Sequence, residues 1–135
     1  MDTSSRTVSS SQRHLHPKLA HTVRRHLNSE FRKPPTRHSL AAMEQVLDFT
    51  RNVDSPLFLD SFCGTGHSTR ALAEAHPDAL VLGIDKSAER LRRGEAPTPV
   101  NALLLRGECT DIWRLMLQAG IQPQRHYLLY PNPWP

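Results

Sequence analysis

From residue 57 onward the chain switches repeatedly between two periods, and that alternation restricts its fold more than any other feature. Residues 57–59, 79–84, 100–105 and 127–130 are short apolar runs of strand length. Between them lie segments with helical spacing: 68–75, 87–93, and a longer one carrying Ile112, Leu115 and Met116, with Thr110 as cap and Gly120 just past its end. Strands alternating with helices are βαβ units, and these build a parallel sheet with helices on both faces. The expected class is therefore α/β, a Rossmann-like, doubly wound parallel sheet. Four strands are fewer than such sheets usually hold, so the sequence reads as half of that fold, incomplete at the C-terminus.

The upstream part differs in charge. Residues 1–40 hold 8 Lys+Arg and 2 Asp+Glu, and residues 41–135 hold 9 and 11, giving +6 and −2. Five of the eight histidines also lie in the first 40 residues. The division expected is a basic leader, 1–38, and a folded domain, 39–135. Ala20, Val23 and Leu27 suggest a short helix near 17–30, stopped by Pro34-Pro35. Ser39 then caps a second helix with Leu40, Met43, Val46, Leu47 and Phe49 on one face. A basic leader suits a polyanion such as nucleic acid, though a solvated tail would show the same charge. No run approaches the roughly 18 apolar residues of a membrane span, and the N-terminus lacks a secretory apolar core. The two cysteines, Cys63 and Cys109, form no disulfide framework and read as reduced thiols of a cytoplasmic protein. The histidines are too scattered to argue a metal site.

The stretch DSFCGTGHST, residues 60–69, uses two of the chain's 6 glycines around one threonine. It follows an apolar strand and precedes a helix, where ligands bind in open parallel sheets. Gly64 and Gly66 allow positive φ and let a ligand reach the backbone. A tight turn without a ligand would use the same residues. Asp85 follows Gly66 at the distance of a ribose-binding carboxylate, about 20 residues, and its strand-end position favours that role over a cap for the helix after Lys86-Ser87. A dinucleotide fingerprint fails at Thr69, which stands where the third glycine belongs. Asp60, Asp85 and Glu108, all at strand ends, suggest three carboxylates around one cleft, which repel pyrophosphate and attract a cation. A cofactor with ribose, adenine and positive charge fits, and S-adenosylmethionine has all three.

The ordered segments LDSFCGTGHST, LGIDKS, LLRGEC and LLYPNPWP resemble class I S-adenosylmethionine-dependent methyltransferases, most closely the tRNA (guanine-N7-)-methyltransferase family. The resemblance implies that Asp60 holds the methionine end of S-adenosylmethionine and that Gly64 and Gly66 form the floor. Asp85, with Lys86 beside it, would meet the ribose, and Glu108 the adenine. Cys63 is taken as a wall of the pocket. Asn132 and Trp134 would face and stack on the target base as the catalytic pair, with no metal. Phe62 stands where the family has an early glycine, and Glu108 and Asn132 where it has aspartate. Three other readings stay open: a non-catalytic remnant or partner subunit, methylation of an exocyclic amine, and a nicotinamide-dependent oxidoreductase. An open edge at the fourth strand would favour self-association or a companion chain.

Overall fold

The structure, a computed structural model, describes residue 11 and residues 13–129. It divides into two compact units, residues 1–34 and residues 35–135. In the first unit α1 spans Leu19–Leu27 and buries no residue. It is shorter than the expected 17–30 because Asn28 leaves helical geometry and its amide closes on Arg24 O. Leu19, Val23 and Leu27 share one face, and Arg24 and Arg25 another.

The second unit opens with α2, Arg37–Thr50. Its cap is Thr36, not Ser39: the Thr36 hydroxyl accepts from the Ser39 amide at 3.2 Å. Ser39 is instead buried, and its hydroxyl accepts from the Glu108 amide at 3.0 Å. Then follow β1 (Leu57–Ser61), α3 (His67–Ala75), β2 (Leu80–Asp85), α4 (Ala88–Arg92), β3 (Ala102–Arg106), α5 (Cys109–Gln118) and β4 (Arg125–Tyr127). All ladders are parallel and the order is β3-β2-β1-β4. That is the expected α/β class.

Strand alternation sorts the core. Leu57 and Leu59 face one side with Met43, Val46, Ile112 and Met116, from α2 and α5. Phe58 faces the other with Ala73 of α3 and Val81 of β2. Helices therefore cover both faces, as the nearly continuous apolar runs of a buried parallel sheet require.

Among the later elements, three boundaries moved for a visible reason. β4 lies at 125–127 rather than 127–130, because Gln124 starts the pairing: its amide donates to Leu57 O at 2.9 Å and its side-chain oxygen accepts from Leu57 N at 2.6 Å. Tyr130 lies outside the described residues. α5 begins at Cys109, with Glu108 rather than Thr110 in the cap position. β3 begins at Ala102, because Asn101 turns its side-chain amide to the carbonyls of Ala73, His76 and Ala79. Gly120 ends α5 as expected. Its φ is +72°, and the bonds Gly120 N to Leu117 O and Ile121 N to Met116 O complete a Schellman motif.

Candidate functional site

Beyond β1 the chain must reverse within five residues to enter α3. Phe62, Gly64 and Gly66 all take positive φ, at +61°, +61° and +82°. For a residue with a Cβ that conformation costs roughly 1–2 kcal/mol. Phe62 is the position where the resemblance expects glycine, and its backbone explains why. The phenylalanine is held by an edge-on contact with Trp113, 6.0 Å between ring centroids.

The two glycines have different reasons. A Cβ on Gly66 would lie 2.7 Å from both δ-carbons of Leu104. A Cβ on Gly64 would meet nothing within 4 Å. Gly66 is packed from below, whereas Gly64 presents bare backbone to open space. Thr69, where the dinucleotide pattern wants glycine, abuts Gly83 of β2: a Cβ there would fall 2.4 Å from the Thr69 hydroxyl. The close helix–strand approach is kept, with the glycine moved to the strand.

Both strand-tip aspartates are 1% exposed. Asp60 Oδ2 accepts from the hydroxyls of Ser68 at 2.6 Å and Thr69 at 2.8 Å, joining β1 to the first turn of α3. Asp85 Oδ2 accepts from the Gly64 amide at 2.9 Å, and its Oδ1 from the Ser87 amide at 2.8 Å. The Arg90 guanidinium lies 3.7 Å from Asp85 Oδ2. Asp85 thus holds the glycine loop and also starts α4.

A cleft of about 290 Å³ lies between this loop and the chain after β4. Asp60, Cys63, Gly64 and Ser68 line its loop side, with His67, Arg90 and Leu129 around them. It sits outside the carboxyl ends of the strands, where the strand order reverses between β1 and β4. The expected ring of three carboxylates is not what lines it. Asp60 does; Asp85 stands one bond behind, through the Gly64 amide; Glu108 is half-buried at the start of α5. Lys86 is exposed, with its carbonyl accepting from Arg106 Nε at 3.3 Å. Asn132 and Trp134 lie outside the described residues. Arg90 is the charged group that sequence reasoning missed; its place in the first turns after Asp85 was the available signal.

Cys63 and Cys109 are buried free thiols. Burial first, and then the Asp60 charge, push the Cys63 thiol up to about 12; burial pushes Cys109 up to about 11. Neither is a nucleophile near neutral pH, in keeping with walls rather than reactants. Among the described residues no group of three His, Cys, Asp or Glu could hold a metal ion.

A parallel sheet of order 3-2-1-4 with a glycine loop at the switch point is the doubly wound arrangement that binds nucleotide-containing cofactors. Residues 54–135 match the Methyltransf_4 family, described as "Putative methyltransferase", and the chain belongs to that family. It is 33% identical over 92 residues to the 12S rRNA N(4)-cytidine methyltransferase of Mus musculus, covering 64% of this chain and 22% of that protein. It is 33% identical over 89 residues to the tRNA (guanine-N(7)-)-methyltransferase of Nocardia farcinica, covering 60% and 31%. A shorter match, 44% over 46 residues, is to the trans-aconitate 2-methyltransferase of Azoarcus sp. (strain BH72), covering 34% and 18%. The chain spans less than a third of the length of each of these relatives.

Proposed function

We propose that this chain binds S-adenosylmethionine in the β1/β4 cleft and takes part in methyl transfer to RNA, with N7 of a tRNA guanine as the target. One observation carries the reading: Gly64 offers unobstructed backbone, in a conformation glycine adopts freely, at the floor of a cleft on the switch point. A Cβ would occupy that cradle. The residues around it suit the amino-acid end of the cofactor. Asp60 is the anion that an ammonium would meet. Arg90 and the amino end of α3 suit a carboxylate. Asp85 reaches a ribose once Arg90, whose side chain is about half exposed, swings aside. Glu108 and Lys86, which do not line the cleft, are assigned to the adenine and the ribose on the resemblance alone.

When bound, S-adenosylmethionine supplies a methyl group on a sulfonium. Guanine N7 offers a lone pair and no proton, so the protein needs no general base before attack. Its work is alignment, which can lower a barrier by up to about 7–11 kcal/mol. Asn132 is assigned to the edge of the base and Trp134 to its face, a stacking contact worth roughly 1–3 kcal/mol. The basic leader, with Arg24 and Arg25 on α1, is assigned to RNA phosphates.

Transfer of tritiated methyl to unmodified tRNA, followed by nucleoside digestion, tests this. The account expects 7-methylguanosine. A second reading, methylation of an exocyclic amine, is favoured by the match to an N(4)-cytidine methyltransferase; it predicts N4-methylcytidine in the same digest. A chain that binds S-adenosylhomocysteine and transfers nothing is the non-catalytic remnant.

A further inference from the structure

Arg70 is 92% buried near the start of α3, yet it is absent from the cleft and has no carboxylate partner among the described residues.

 Its Nη1 donates to the carbonyl of Thr65 at 2.8 Å, and its Nε has no hydrogen-bond partner among the described residues. Gly94, just after α4, closes on the same point from the other side. A Cβ on Gly94 would lie 2.3 Å from Thr65 O and 3.0 Å from both terminal nitrogens of Arg70. A Cβ on Gly66 would lie 3.0 Å from Arg70 Nη1. The first turns of α3 and the residue after α4, distant from them in sequence, therefore meet around one carbonyl of the glycine loop.

A buried guanidinium is costly to desolvate, and a merely space-filling role would suit methionine or leucine as well. We propose that Arg70 is a positioning residue: by holding the Thr65 carbonyl against Gly94, it fixes the Thr65–Gly66 peptide and keeps the Gly64 backbone turned to the cleft. The inference rests on the reading of that cleft as an S-adenosylmethionine site. Arg70 touches no ligand in this account. It acts on affinity through the loop.

The test pairs hydrogen exchange of the loop with ligand affinity. In Arg70→Met, exchange of the peptide spanning residues 62–67 should rise at least tenfold without any ligand. Affinity for S-adenosylhomocysteine should fall at least tenfold, while the melting temperature stays within a few degrees of the parent. Arg70→Lys, which keeps a donor, should recover part of both. Gly94→Ala pushes on the same carbonyl from the opposite side and should reproduce the loop effect, which covers the case of an Arg70→Met chain that does not fold. Loop exchange at the parent rate in these variants overturns the proposal. If the parent chain binds no S-adenosylhomocysteine, the cofactor reading fails and the exchange arm alone decides the clamp.

Discussion

At the residue scale the clearest test is Phe62. Its left-handed backbone favours glycine, while its ring packs on Trp113. Alanine loses the ring and keeps the strain; glycine loses the ring and removes the strain. Phe62→Gly should therefore be more stable than Phe62→Ala by about 1 kcal/mol, with the higher melting temperature, reversing the usual order of these residues in ordered structure. Equal melting would show that the backbone at 62 is not strained. The thiols make a second test. Their pKa values are raised from 9.0 to about 12 and about 11. The folded state holds these protons more tightly than the unfolded one, so the stabilisation is complete below pH 9 and fades as pH rises through about 11–12. Urea titrations at pH 7.5 and pH 10.5 should show a larger loss for the parent than for Cys63→Ser/Cys109→Ser; an equal loss contradicts the assignment. The glycine pair and the strand-tip acids were legible from type and spacing. Their hydrogen bonds were not, because Thr69 was read against a dinucleotide pattern, and Arg70 and Gly94 meet only after the chain has folded.

At the scale of elements, α2 and α5 stitch each other's first turns together. The Thr36 amide donates to Asp111 Oδ2 at 3.0 Å, and the Glu108 amide to the Ser39 hydroxyl at 3.0 Å. Both acceptors are buried. Asp111→Ala leaves a donor unsatisfied and should cost about 1–3 kcal/mol in urea unfolding; a loss below about 0.5 kcal/mol would mean that water replaces the carboxylate. This pairing explains why sequence reading found each helix but misplaced both caps. Propensity makes Ser39 and Thr110 good caps, but Ser39 is engaged across the helix pair, and α5 starts from Glu108. The fourth strand was displaced for a related reason. The apolar run at 127–130 suggested a buried strand, whereas the paired residues are Arg125, His126 and Tyr127 at the end of the described sheet.

At the scale of the whole molecule, the described sheet ends at a three-residue strand beside an apolar hollow of about 390 Å³, lined by Leu59, Trp113, Met116, Ile121 and Leu128 among others. Leu117 on its rim is 72% exposed. Open edges and apolar rims recruit partners. Sedimentation velocity of this chain should show a weight-average mass that rises with concentration, and Leu117→Lys should lower it; a single monomer species at all concentrations contradicts self-association. The order of strands and helices was readable because period alone decides it. Of the cleft lining, Asp60, Cys63 and Gly64 were readable, whereas Arg90 and Leu129 were not, since they depend on which side chains the turns aim inward.

The central claim concerns the bare backbone at Gly64, and calorimetric titration with S-adenosylhomocysteine addresses it most directly. Gly64→Asn keeps the left-handed turn, which asparagine tolerates, but puts a side chain into the cradle. We predict saturable one-site binding to the parent chain, weakened at least tenfold in Gly64→Asn, with melting temperatures within about 3 °C of each other, well under the 4–8 °C that 1 kcal/mol produces in a domain of this size. No heat of binding to the parent, or equal affinity for both chains, would contradict it.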